Sequence, residues 1–253
     1  MIEPVVPERL EWLAGLLDAH PGERLVDLGC GTGAALKVIG GRLPGADLEL
    51  LGLDASAAAL RTAAQTLSQP PVASRLLVRA DLAGGVPLAA ASVDRAICHN
   101  LLEYLPHAAA LVTEGWRVIR PGGRFVISHS DFDTLIFASE DPQLTRRLVR
   151  DYCDAQQAWI DAVDGTIGRR LVDIVGRSRL QVEDVQARVN LSRRFQPGGL
   201  GYAYAHNLAT VLQRGGRVDP VELDGWLAGL RRLDERAGFF CSVNEYAVIC
   251  ARP

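Results

Sequence analysis

Asp27-Leu28-Gly29-Cys30-Gly31-Thr32-Gly33 is the stretch on which the fold turns. It leaves a short strand-like run, Arg24 to Leu28, and enters a helical pattern that continues to about Arg42, where Pro44-Gly45 ends it. Glycines at alternate positions let a backbone turn sharply and approach a ligand without Cβ interference. Amides at the start of the following helix can then receive polar or charged ligand groups. The pattern by itself stays ambiguous, because Gly29, Gly31 and Ala34 also satisfy the dinucleotide fingerprint G-x-G-x-x-A.

Outward from this turn, apolar runs alternate with helical patterns, the mark of a parallel sheet with crossover helices. A helix is expected over Pro7 to His20. Leu48 to Leu53 reads as a second strand stopping at Asp54, with Ser56 as N-cap of a helix to about Leu67. Arg75 to Ala80 is a third strand ending at Asp81, and Val93 to Cys98 a fourth, followed by a helix near His107 to Ile119. Arg120-Pro121-Gly122-Gly123 reads as a tight turn into a fifth strand, Arg124 to Ser128. Strand ends of this kind line up along one rim, and in open α/β sheets the ligand crevice lies there. From Asp133 to about Arg179 the pattern is helical, with Leu144, Leu148, Tyr152, Trp159 and Val163 on one stripe. Val182 to Arg194 and Phe239 to Ala251 are two further strands, with helices near Tyr202 to Arg214 and Val221 to Arg236. The expected fold is α/β: a Rossmann-like, seven-stranded, mostly parallel sheet with an antiparallel edge strand and helices on both faces. It is read as one domain, 1–253, in which 133–180 and 198–237 form helical insertions over the ligand rim.

Composition narrows the function. A chain of 253 residues, 48% apolar and 23% charged, can bury a sizeable core. No apolar run reaches membrane-spanning length, and the first residues carry neither a basic n-region nor an apolar h-region, so the expectation is a cytoplasmic protein with no membrane partner. The five cysteines, Cys30, Cys98, Cys153, Cys241 and Cys250, form no C-x-x-C pair, which argues against a disulfide framework and a structural zinc, and no metal is expected. A net charge of −3 without a basic stripe disfavours nucleic acid as partner. Lys37 is the only lysine, which reads as genomic base composition.

Three carboxylates separate the ligand readings. Asp27 lies directly before the glycines, where it would meet an ammonium and repel a pyrophosphate. Asp54 suits two ribose hydroxyls, a role that would fit NAD as well. Asp81, beside Leu82, is placed for an adenine amine and an apolar contact. With these the chain resembles the class I S-adenosylmethionine-dependent methyltransferases, especially the small-molecule branch that includes the ubiquinone and menaquinone C-methyltransferases. Asp27 to Gly33 matches that family's first motif, Leu51-Gly52-Leu53-Asp54 its ribose position, and Ala80-Asp81-Leu82 its adenine motif. Val93 to Tyr104 is similar to its fourth strand and turn, and Glu114 to Ser128 to its helix-turn-strand segment.

The resemblance covers roughly residues 20 to 130 and implies S-adenosylmethionine as cofactor and S-adenosylhomocysteine as product. It implies a cofactor site of Asp27, Gly29, Cys30, Gly31, Gly33, Asp54, Ala55, Asp81, Leu82, His99 and Asn100. At His99 and Asn100 the backbone would hold the methionine end.

For the acceptor, His129 and Asp131 follow the fifth strand, and His129 is the candidate general base. Asp131, Tyr202 and His206 are candidate substrate contacts, the latter two in an aromatic group with Phe195 and Tyr204. Asp94 is expected to be a solvated strand start, Glu103 a helix-face carboxylate, His20 and His107 surface residues. Arg169 and Arg170 near Asp164 read as a helix-terminal ion pair, with an anionic-substrate anchor as the other view. The expected activity is methyl transfer to an O, N or C atom of a small molecule. The alternatives are a peptide or RNA methyltransferase, a nicotinamide-dependent oxidoreductase, and a non-catalytic cofactor-binding protein.

Overall fold

In the computed structural model, which describes residues 7–45, 47–68, 74–155 and 165–253, the glycine turn joins β1 (Arg24–Leu28) to α2 (Ala34–Arg42). Before them lies α1 (Pro7–Leu17); after them come β2 (Glu49–Asp54), α3 (Ala57–Thr66), β3 (Ser74–Arg79), β4 (Val93–His99), α4 (Ala108–Val118) and β5 (Ile119–Phe137). The chain continues through α5 (Pro142–Ala155), α6 (Ile167–Gly176), β6 (Gln181–Ser192), α7 (Leu200–Arg214), α8 (Pro220–Glu235) and β7 (Cys241–Ala251). The sheet order is β3-β2-β1-β4-β5-β7-β6, and β3, β2, β1, β4 and β5 are mutually parallel. β7 runs the other way: Gly122 near the start of β5 donates to Arg252 O, while Ala138 just past its end donates to Phe240 O. The mostly parallel sheet with an antiparallel strand toward its edge is therefore the one expected from the sequence.

The chain divides into two compact units. One comprises Pro7–His129, Arg169–Gln186 and Tyr246–Pro253; the other comprises Ser130–Gly168 and Ala187–Glu245. In the first, Leu10, Leu13 and Leu17 of α1 and Leu36 and Ile39 of α2 pack with Leu25, Leu50, Ile97 and Val126 of the sheet. Side chains alternate faces along a strand, so Phe125 points opposite to Val126. There it meets Gly115 of α4 so closely that a Cβ on that glycine would clash with the ring. In the second unit, Leu148 and Tyr152 of α5, Leu208 and Leu212 of α7, and Trp226 and Leu230 of α8 share one core with Phe132, Phe137 and Phe239. Leu144, Leu148 and Tyr152 thus behave as packing; Trp159, Val163 and Asp164 lie outside the described residues.

Two local expectations change. The turn Arg120-Pro121-Gly122-Gly123 is a bulge inside β5: Val93 pairs with Ile119 and Arg95 with Arg124, leaving Asp94 of β4 opposite four residues. Gly122 takes the left-handed φ of 76° that the bulge requires, and a Cβ on Gly123 would stand 2.6 Å from Asp94 O. Asp94 accepts from Arg24 N at 2.7 Å and pairs with Arg120, so it anchors the strand start instead of resting in solvent. The second change is the length of β5. It continues past Ser128, its expected end, to Phe137, because Phe132, Leu135 and Phe137 each find a place in the second unit's core. The helical segment accordingly begins at Pro142, not at Asp133.

Candidate cofactor site

Asp27, Asp54 and Asp81 lie at the carboxyl ends of three adjacent parallel strands, β1, β2 and β3. Asp27 pairs with Gly52 and Asp54 with Arg79, so the three acids share one rim of the sheet. Gly29, Gly31 and Gly33 carry φ values of 80°, 52° and 76°, all left-handed. The three do different work. A Cβ on Gly29 would stand 2.8 Å from Leu101 Cδ1, and one on Gly33 3.1 Å from Ala63 Cβ. At Gly31 nothing lies within 4 Å of that position, so the backbone there is open to a ligand.

The turn's own amides are largely used inside the protein. Gly29 N and Cys30 N both donate to Leu53 O, Gly33 N donates to Cys30 O, and Gly31 N donates to Asp54 Oδ2 at 2.9 Å. Cys30 is buried, so its thiol faces the core and the turn contributes shape rather than a row of donors. A pyrophosphate-binding turn needs those donors and gains nothing from Asp27, while Asp54 would serve a ribose in either reading. The nicotinamide reading loses its support here.

Asp54 Oδ1 accepts from Ser56 N at 2.8 Å, and Ser56 Oγ in turn caps α3 through Ala59 N. A carboxylate offers about four lone-pair sites. The two amides fix its plane and leave room for a pair of hydroxyls. Ala55 O, exposed beside it, takes Arg79 Nε at 3.1 Å. Asp81 is exposed and caps the 3₁₀ turn Leu82–Gly84 through Ala83 N, while Leu82 itself is buried.

Asp27 is 2% exposed. Burial pushes its pKa from 3.8 up to about 7; His99 pulls it back down and Asp54 adds to the rise. His99 ends β4 opposite Ser128 of β5, with Nδ1 2.8 Å from Ser128 Oγ. Asn100 follows with a left-handed φ of 47° and donates its N–H to Ser128 O at 3.0 Å. Ser128 therefore ties down both residues. Sequence reading passed over Ser128, which looks there like an ordinary strand terminus; only strand register brings it to His99.

The remaining candidates divide by unit. His129 is buried within β5 of the first unit, not on a strand end, and Asp131 is equally buried in the second. Also in the second unit, Tyr202 and His206 of α7 stack at 3.8 Å, with Phe195 beside both, and His206 Nδ1 lies 2.8 Å from Tyr202 O. Tyr204 is core, its hydroxyl 3.3 Å from Ser130 Oγ. Glu103, expected on a helix face, is buried in the 3₁₀ turn Leu102–Tyr104. Arg169 opens the α6 side exposed and Arg170 half-buried; their proposed partner Asp164 is outside the described residues. His20 and His107 are exposed as expected.

Residues 26–127, the span that holds this whole rim, match the family described as methyltransferase domain. Over this span the chain is similar to a class I methyltransferase domain. An uncharacterized protein in a transposon of Streptomyces fradiae is 28% identical over 92% of this chain and 64% of its own length. A ubiquinone biosynthesis O-methyltransferase from Alkalilimnicola ehrlichii is 31% identical over 50% of this chain and 49% of its own. The chain thus spans less than two thirds of the length of these relatives. Among solved structures, a putative methyltransferase from Bacillus halodurans covers 97% of this chain and 99% of its own with a TM-score of 0.61 at 11% identity, a likeness of fold. Among the described residues, no helix is long and apolar enough to cross a membrane.

Proposed function

We propose that this protein transfers the methyl group of S-adenosylmethionine to an O, N or C atom of a small-molecule acceptor. The observation that carries the reading is the rim of Asp27, Asp54 and Asp81 around a glycine turn open at Gly31. Asp27 takes the cofactor's ammonium, Asp54 the two ribose hydroxyls, and Asp81 the adenine amine. Leu82, being buried, backs the 3₁₀ turn, and the backbone at His99 and Asn100 receives the methionine end. When bound, the cofactor supplies an electrophilic methyl group, so the chain's residues have chiefly to position the acceptor and exclude water. The names of relatives such as the ubiquinone biosynthesis O-methyltransferase support a small acceptor. His129 is the proposed base where the acceptor must lose a proton; Asp131, Tyr202 and His206 are proposed acceptor contacts.

Calorimetric titration with S-adenosylhomocysteine and with NAD tests the cofactor. Binding of the first and not the second is expected, and the reverse would remove the methyltransferase reading. Methyl-labelled cofactor offered with cell-extract small molecules should label an acceptor in the wild type and not in Asp54→Ala. Label that stays on the cofactor in every extract would favour a non-catalytic protein.

A further inference from the structure

We propose that His99 is a positioning residue: anchored through Nδ1 to Ser128 Oγ, it faces the same side of the sheet as Asp27 and readies that carboxylate for the cofactor's ammonium. The inference rests on the methyltransferase reading above and deepens it.

The register places the groups. Asp27 pairs with Gly52 on β2 and with Ile97 on β4. Two residues further along each neighbour, on the same face of the pleat, come Asp54 and His99. The strands on either side of Asp27 thus carry an acid and an imidazole on its face, each two residues beyond its direct partner. The acid works against its ionisation and the imidazole works for it, while burial opposes it most of all. Cys30 and Cys98 also feel Asp27, but burial raises both thiols far above neutral, so neither supplies a charge. Of the groups that act on Asp27, His99 is the one that favours the carboxylate.

The hydrogen bond to Ser128 fixes the ring. The same serine accepts Asn100 N through its carbonyl, so the imidazole and the backbone step leaving β4 are held by one residue. Because Asp27 titrates near neutrality, a modest electrostatic contribution decides what fraction of the protein can receive an ammonium.

The test is calorimetric titration of S-adenosylhomocysteine between pH 5.5 and 9 on wild type, His99→Gln and Ser128→Ala. The same series with 5′-methylthioadenosine, which lacks the amino-acid part, is the control. Wild-type affinity for S-adenosylhomocysteine should rise about tenfold per pH unit below the Asp27 midpoint and then level off. His99→Gln should move that midpoint upward, so that its binding loss relative to wild type is about tenfold at pH 6.5 and shrinks toward pH 9. Ser128→Ala should shift it the same way by less, and methylthioadenosine binding should stay flat with pH in all three proteins. Superimposable profiles for wild type and His99→Gln would overturn the proposal. So would an equal loss of methylthioadenosine binding, which would mark plain structural damage. A wild type that binds neither compound at any pH would overturn the methyltransferase reading itself, and this one with it.

Discussion

Gly29 and Gly31 both adopt left-handed backbone, yet different neighbours constrain them. Gly29→Ala adds a methyl group 2.8 Å from Leu101 Cδ1 on top of the backbone strain. We expect it to lower unfolding free energy by about 2 to 4 kcal/mol. Gly31→Ala meets open space and should cost only about 1 kcal/mol in stability, but its methyl group occupies the ligand's approach and should weaken S-adenosylhomocysteine binding at least as much. Urea unfolding and titration of the two variants check this, and the opposite ranking of stabilities would contradict it. Asp27 carries a different conflict. Its folded pKa is raised above the unfolded 3.8 to about 7, chiefly by burial. Its contribution to stability is therefore complete below about pH 3.8 and is lost as pH rises through about 7. Ionising it costs the folded protein up to about 4 kcal/mol. Asp27→Asn should accordingly be more stable than wild type at pH 8.5, with the gap closing toward pH 5, while cofactor binding disappears. Denaturation at both pH values gives the answer; a gap that does not change with pH would refute it.

At the scale of elements, α4 shows two opposed effects of known size. Alanine at Gly115 would gain about 1 kcal/mol of helix propensity. Its methyl group, however, would be driven into the Phe125 ring, and overpacking of that kind costs about 1 to 3 kcal/mol. Packing should win: Gly115→Ala is expected to lower the melting temperature, and the double variant Gly115→Ala/Phe125→Leu to recover part of the loss. The same element level shows why some of the fold could be read from the sequence and some could not. β1, β2 and β4 are short, apolar and closed by Gly29, Asp54 and His99, so local pattern and the ligand rim coincide. β5 broke the rule, because Ser128 looks like its end and only the burial of Phe132, Leu135 and Phe137 makes the following segment a strand. The bulge at Arg120–Gly123 was visible as a turn, but its insertion into the strand depends on Asp94 across the sheet. Ser128 and the buried state of Glu103 were invisible for the same reason: both depend on neighbours distant in sequence.

For the whole molecule, the order of the elements and the acid-lined rim were open to sequence reading, because each needs only local punctuation. The division into two units was not, since β5, β6 and β7 each begin in one unit and end in the other. Cysteine placement gives a way to watch those units separately. All five thiols are buried, and three of them, Cys30, Cys98 and Cys250, belong to the unit with the cofactor rim, while Cys153 and Cys241 belong to the other. A buried thiol reacts with an alkylating reagent only when its surroundings open, so labelling in native buffer becomes a set of clocks for local unfolding. Mass spectrometry should find that S-adenosylhomocysteine slows the Cys30 and Cys98 clocks more than those of Cys153 and Cys241. Uniform slowing of all five would mean that the molecule opens in a single step. Either way, a chain without one exposed cysteine reports on its own breathing with no engineered probe.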